Sequence, residues 1–116
     1  MEDLVHQNLS RHGAGRLILD FYNNTDLGVK RRELDGLCSD IRKKFNISIL
    51  EVADFDDHER CAIGFALVIP ENWKTKNARD LVEKVCKTID STSFARVTVE
   101  ECDLLWHGSD SEKDDD

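Results

Sequence analysis

The chain has 116 residues, 40% of them hydrophobic and 34% charged, which suits a single small globular domain that buries its own core. Its net charge of −8 argues against a general nucleic-acid-binding protein, because such proteins use an excess of bases to neutralise phosphates. No apolar run is long enough to cross a membrane, and the first residues lack the basic start and apolar middle of a signal peptide. We therefore expect a cytoplasmic protein.

The acidic residues are concentrated at the carboxyl end of the chain. Residues 109–116 contain five acids and one lysine and so carry half of the net charge. Such a segment is too polar to bury a core, which predicts a disordered acidic tail over residues 108–116. Residues 1–14 hold Leu4, Val5 and Leu9 at loosely helical spacing and end in a glycine-rich stretch, so we interpret them as a weakly ordered N-terminal extension or a short helix. The folded domain is expected to span residues 15–107.

The first half of this domain shows a strand, a helix and a second strand. Residues 16–22 have the alternating side chains of a strand, and Thr25 or Asp26 can cap a helix that starts at Leu27. One face of this helix carries the apolar stripe Leu34, Leu37, Cys38, Ile41 and Phe45. Asn46 ends the helix, because asparagine tolerates the left-handed conformation found at helix ends. Residues 47–53 are rich in β-branched side chains and predict the second strand.

The second half repeats this pattern after a polar turn at residues 54–57. A third strand is predicted over residues 58–68, and Pro70 stops it. A second helix, starting after Asn72 or Asn77, has the apolar stripe Ala78, Leu81, Val82, Val85 and Ile89. Residues 94–101 predict the fourth strand, which the apolar residues 104–106 extend. The order β-α-β-β-α-β predicts an α+β, ferredoxin-like fold: a four-stranded antiparallel sheet with both helices on one face.

The sequence contains no recognisable catalytic or metal-binding motif. The four cysteines (Cys38, Cys61, Cys86 and Cys102) are widely spaced and have no histidine at ligand spacing. Zinc sites and disulfide frameworks need clustered or paired thiols, so we expect reduced cysteines in the core. A serine–histidine–acid grouping and a glycine-rich phosphate loop are also lacking. We therefore predict a protein that is not an enzyme, with no cofactor and no evident small-molecule substrate.

The candidate functional residues are basic side chains near one edge of the predicted fold. The topology places the start of the first helix beside the acidic turn that joins strands two and three. Bases in a helix's first turn oppose its dipole by about 0.3–1 kcal/mol each, so helix stability does not explain them. They either pair with the acidic turn or face an anion such as an RNA phosphate. The predicted contact residues are Lys30, Arg31, Arg32, Arg60, Arg42 and Lys43.

Several of these positions also have a structural explanation. The stem of Lys30 lies near the apolar stripe, so it can pack while its amine reaches the edge. Arg42 and Lys43 lie at the helix end that the dipole makes favourable for cations. Arg60 can serve as an ion-pair partner of the turn. On the open sheet face, Tyr22 or Phe65 could stack RNA bases, although an apolar face there more often supports self-association.

The stretch from Leu27 to Gly64 resembles the YlxP-like family of small bacterial proteins, which have no established function. The resemblance is carried, without a gap, by Leu27, Lys30-Arg31-Arg32, Leu34, Leu37, Arg42, Phe45-Asn46-Ile47-Ser48, Glu51-Val52, Asp56, Arg60 and Gly64. It implies a ferredoxin-like fold. Genes of that family often lie with genes for translation initiation and ribosome maturation, which implies a ribosome- or RNA-associated accessory role. The alternative is a homodimeric interaction module that pairs through its open sheet face.

Overall fold

The computed structural model describes residues 11–106, which form six elements in the order β-α-β-β-α-β. They are β1 (Arg11–Asp20), α1 (Leu27–Lys44), β2 (Ser48–Ala53), β3 (Arg60–Ile69), α2 (Thr75–Thr92) and β4 (Arg96–Trp106). The strands form one antiparallel sheet in the order β2-β3-β1-β4. The predicted ferredoxin-like fold is confirmed.

The first strand differs most from its prediction, because it begins at Arg11 and ends at Asp20. The expected boundary between extension and domain, at residue 14, therefore falls inside β1. Gly13 and Gly15 look like linker residues in the sequence, but both lie within the sheet. A Cβ atom at Gly13 would collide with Val82, and one at Gly15 would collide with the ring of Phe65. The glycines make room for these side chains. Residues 1–10 and the predicted tail 108–116 lie outside the described residues.

Both helices pack on one face of the sheet, as their apolar stripes predict. Asp26 caps α1 by accepting a hydrogen bond from the backbone N–H of Gly28 (2.7 Å). The buried residues of the two helices include Leu34, Leu37, Cys38, Ile41, Ala78, Val82, Val85 and Ile89. They meet alternate residues of the central strands, namely Leu17, Leu19, Cys61, Ile63, Phe65 and Leu67. Burial of this continuous apolar layer is the main stabilising contribution to the fold.

The opposite face of the sheet has no layer of described residues over it. Its centre consists of small residues on β3, including Ala62, Gly64 and Ala66. Val52 of β2 lies over Gly64, because a Cβ atom added at Gly64 would be 3.2 Å from the Cγ1 atom of Val52. The larger apolar side chains exposed around this centre are Leu50, Val52 and Val68. This open face is therefore shallow, with small and apolar side chains on β2 and β3, and the Arg16–Glu100 ion pair (2.7 Å) lies beside them.

Candidate functional site

Three segments meet at one end of the domain, as the topology predicts. The backbone N–H of Phe21 donates to the carbonyl of Glu59 (2.6 Å), which ties the end of β1 to the turn after β2. The side-chain amide of Asn24 donates to the carbonyl of His58 (2.8 Å). Lys30, in the first turn of α1, donates to carbonyls of the same turn. The predicted juxtaposition of the helix start with the β2–β3 turn is therefore confirmed.

Lys30 is a structural residue of this end rather than part of its surface. Its side chain is 1% exposed, and its Nζ atom donates to the carbonyls of Asp54 (2.7 Å), Asp57 (2.5 Å) and Phe55 (3.4 Å). The same amine lies 3.4 Å from the Oε2 atom of Glu51. That oxygen is buried and accepts no well-aligned hydrogen bond, so the contact is an ion pair. Lys30 thus pairs with the turn, mainly through backbone carbonyls, and is inaccessible to a partner.

The β2–β3 turn is itself well organised by hydrogen bonds. Asp54 has a positive φ of 65°, and its carbonyl accepts from the N–H of Asp57 (3.1 Å). The Oδ1 atom of Asp57 accepts from the backbone N–H groups of Glu59 (2.8 Å) and Arg60 (3.2 Å). The bond from Glu59 is the largest cause that lowers the pKa of Asp57 below its ordinary value, because it favours the charged carboxylate. The turn therefore holds its remaining side chains in a defined position.

Arg31 and Arg32 present free charges at the same end. Both are exposed, and neither guanidinium makes a hydrogen bond or ion pair with any residue in the described part of the chain. The first turn of α1 contains no acidic residue that would compensate them. Their charges remain available to an anion from outside the domain. Of the two interpretations of the basic cluster, pairing with the turn applies to Lys30, and availability to an anion applies to Arg31 and Arg32.

The other predicted contact residues lie in different surroundings. Arg60 is exposed at the start of β3, but it lines a shallow hollow together with Asp20, Asp57 and Glu59. Lys43 is exposed near the end of α1, and its position twelve residues after Arg31 corresponds to about 18 Å along the helix axis. The six predicted residues therefore do not form a single site.

Arg42 has a structural contact as well as a place on the helix surface. Its guanidinium donates to the carbonyl of Ile49 in β2 (2.5 Å), which ties the end of α1 to the edge strand. Arg42 and Arg31 nevertheless line the same narrow groove along α1, with a volume of about 190 Å³, and Asp35 lies between them. The eleven-residue separation of their positions corresponds to about three helical turns, which places Arg31 and Arg42 on the same flank of α1.

Exposed aromatic side chains are a feature of this end that the sequence interpretation identified only at Tyr22. Tyr22 is 81% exposed, Phe55 52% and Phe94 91%. Tyr22 follows β1 and Phe94 precedes β4, and the pairing of Asp20 with Arg96 brings these strand ends together. All three lie at or beyond strand ends in polar surroundings, where no core is available to bury them. An aromatic residue at such a position in the sequence is the signal that could have identified them.

The positions of Phe65 and Phe94 differ from what the prediction of base stacking on the open sheet face requires. Phe65 is buried among the core residues and does not face the open side of the sheet. Phe94 instead lines a hollow of about 130 Å³ together with Arg32, between α1 and the end of α2. We call Tyr22, Phe55, Phe94, Arg31 and Arg32 the aromatic–arginine end. It combines flat apolar surfaces with two cations that have no partner within the described residues.

Other classes of site find no support among residues 11–106. They contain no group of three or more histidine, cysteine, aspartate or glutamate side chains placed to hold a metal ion. Neither of the two helices is long and apolar enough to cross a membrane. A groove of about 500 Å³ lies between α2 and β4 and is lined by residues that include Cys86 and Cys102.

The fold and this end define a small ferredoxin-like α+β protein with exposed aromatic and basic side chains at one end of its sheet. Residues 13–102 match the family described as "Protein of unknown function (DUF503)". The match spans most of the chain, so the protein belongs to that family, and it includes both helices and the three-residue basic run at the start of α1. No curated protein matches the chain.

Proposed function

We propose that this protein is a non-enzymatic, cytoplasmic accessory factor that binds RNA of the ribosome through its aromatic–arginine end. The observation that carries the proposal is the exposure, at the same end of the domain, of three aromatic side chains and of two arginines that have no partner among the described residues. Aromatic faces stack unpaired bases, and guanidinium groups contact the phosphates between them.

The family resemblance supports the choice of the ribosome as the place of action. Arg31 and Arg32 are among the positions that carry the resemblance to the YlxP-like family, whose genes often accompany those for translation initiation and ribosome maturation. Lys30 also belongs to that run, but its amine is buried and donates to carbonyls of the β2–β3 turn. This structural role is enough to explain the lysine at that position. The two exposed arginines have no comparable structural explanation.

Removal of the two arginines should weaken RNA binding and reduce its dependence on salt. We expect the variant Arg31→Ala/Arg32→Ala to bind a labelled single-stranded ribosomal RNA fragment about tenfold more weakly, because alanine neutralises no phosphate and releases no counterion. The slope of log Kd against log salt should fall by about 0.7 for each phosphate that an arginine neutralises in the wild type. Fluorescence anisotropy over a salt series measures both quantities.

The matched control is Lys43→Ala/Lys44→Ala, which removes the same charge from the opposite end of α1. It should change the affinity only slightly and leave the salt slope unaltered. Equal weakening by both double variants would show that net charge, not this end, determines binding. Absence of co-sedimentation with ribosomal subunits at low salt would remove the ribosome from the proposal.

A second candidate function is self-association through the open sheet face. The observation that favours it is the exposure of Leu50, Val52 and Val68 around a flat centre of small residues. A flat apolar face of this kind can pack on a second copy of itself around a two-fold axis. This function would need no nucleic acid.

Light scattering tests self-association directly. If the second candidate is right, the full chain should have the mass of a dimer, and Leu50→Glu/Val68→Glu should have the mass of a monomer because it buries unpaired charges in the interface. Phe94→Glu, at the other end of the domain, is the control and should leave the dimer intact. A monomeric wild-type protein at high concentration would eliminate this candidate.

A further inference from the structure

Two cysteine side chains from different elements lie next to each other in the groove between α2 and β4. The Sγ atom of Cys86 in α2 is 3.0 Å from the Sγ atom of Cys102 in β4. This separation is about 1 Å longer than a disulfide bond, so a small movement of the side chains would join them. Cys86 is buried, whereas Cys102 is exposed. A thiol that a reagent can reach therefore contacts one that it cannot.

An irregularity in β4 brings these thiols together. Leu17 of β1 pairs with Val99, but the preceding Arg16 pairs with Glu101, so β4 contains one extra residue at this point. Strict alternation after Val99 would direct Cys102 to the open face of the sheet. The extra residue instead turns it toward the helices, as expected for a β-bulge. There, Cys102 lies 3.9 Å from the carbonyl of Val82 as well as beside Cys86.

The remaining cysteines have a different environment. Cys38 and Cys61 are buried free thiols. Within the described residues, neither makes a sulfur–sulfur contact at hydrogen-bonding distance. Burial raises the pKa of the Cys61 thiol to about 12, as expected for an inert core cysteine. The proximity of Cys86 and Cys102 is therefore specific to the groove and is not shared by the cysteines of the core.

We propose that Cys86 and Cys102 are a reversible disulfide-forming pair that reacts with a small peptide disulfide of the glutathione class. In the first step the Cys102 thiolate attacks one sulfur of the incoming disulfide, forms a mixed disulfide and releases one small thiolate. In the second step the Cys86 thiolate attacks Sγ of Cys102 and displaces the other small thiolate. The two released thiolates take up the protons that the protein thiols lose. Two protein thiols are oxidised, and the incoming disulfide is reduced to two thiols.

The groove fits this reagent in size and in charge. Its volume of about 500 Å³ lies in the range of small-molecule sites. Its lining carries both signs of charge, from Arg79, Glu83, Lys87 and Asp90 of α2 and Asp103 of β4, with Lys87 3.6 Å from Glu83. A zwitterionic peptide has complementary groups for both. Exposure assigns the first step to Cys102, and the resolving step falls to Cys86, because its buried Sγ atom is 3.0 Å from that of Cys102.

Peptide mapping of the full chain tests the proposal. The reduced protein is incubated with oxidised glutathione, its remaining thiols are alkylated, and its mass and peptides are determined. Before alkylation we expect a protein lighter by two hydrogen atoms. After alkylation, Cys38 and Cys61 should carry the alkyl group, and a cross-linked peptide pair should contain Cys86 and Cys102. Because the bond closes a loop across 16 residues, the melting temperature should rise by about 10 °C. Dithiothreitol should reverse the rise.

Single variants separate the two steps. Cys86→Ser should stop at a glutathione adduct on Cys102, and Cys102→Ser should form neither adduct nor disulfide. Cys38→Ser is the control and should still form the Cys86–Cys102 bond. The proposal is overturned if the wild-type protein does not react, if it pairs other cysteines, or if it retains the adduct as long as Cys86→Ser does. The wild-type map and melting temperature do not depend on any variant folding, and neither result depends on RNA binding.

Discussion

Replacing Lys30 with methionine is expected to lower the free energy of unfolding by about 3–5 kcal/mol, the usual cost of removing one member of a buried ion pair. Methionine fills most of the space of the lysine stem but cannot donate a hydrogen bond. The carbonyls of Asp54 and Asp57 would each lose the hydrogen bond from the lysine, and the carboxylate of Glu51 would lose the cation 3.4 Å away. Urea unfolding followed by circular dichroism measures the change.

Two further variants separate the ion pair from the hydrogen bonds. Lys30→Met/Glu51→Gln removes the unpaired carboxylate and should recover about 1–3 kcal/mol of the loss, because the remaining amide is neutral. Lys43→Met removes an exposed lysine from the same helix and should stay within about 0.5 kcal/mol of the wild type. If Lys30→Met were as stable as Lys43→Met, the amine would not hold the β2–β3 turn in solution.

The architecture could be predicted from the sequence because it depends on hydrophobic periodicity. The stripe from Leu34 to Ile41 has one arrangement that buries it, and the alternation in β3 places Ile63 and Leu67 on the same side. The order of such elements, together with right-handed crossovers, leaves few topologies open. Prediction therefore succeeded where each residue's environment follows from its near neighbours in the chain.

Buried cations could not be predicted in the same way. Arg11 is 2% exposed and donates to the carbonyls of Pro70 (3.1 Å), Glu71 (3.2 Å) and Trp73 after β3. Lys30 makes the same kind of contact with the turn before β3. In both cases the partners are backbone carbonyls of a loop that is distant in sequence, and backbone groups leave no signature in the side-chain pattern. A charged residue in such a place looks like a surface residue.

Departures from regular strand geometry account for the other differences. In the sequence, the glycines within Arg11–Gly15 resemble a linker. In the structure they belong to β1 and leave room for the side chains of Val82 and Phe65. The bulge in β4 reverses the side to which Cys102 points. Both features depend on the fit between elements, so the candidate sites near them follow from the three-dimensional structure rather than from residue spacing.

The aromatic side chains should contribute more to RNA affinity than any single arginine. Base–aromatic stacking is worth about 1–3 kcal/mol per base, so the double variant Tyr22→Ala/Phe94→Ala is expected to bind a single-stranded ribosomal RNA fragment about 100-fold more weakly. Both side chains are almost fully exposed, at 81% and 91%, and the free energy of unfolding should therefore change little. Anisotropy titrations and urea unfolding of the same preparations measure the two effects.

The control for this variant is Leu50→Ala/Val68→Ala, which removes exposed apolar side chains from the open sheet face. It should leave RNA affinity unchanged, since that face lies outside the aromatic–arginine end. The salt dependence distinguishes stacking from charge: the aromatic variant should keep the wild-type slope, because Arg31 and Arg32 still contact phosphates. If the sheet-face variant weakened binding as much, the RNA contact would lie on the open face. If the aromatic variant bound like the wild type, stacking would play no part and the proposed role of this end would be wrong.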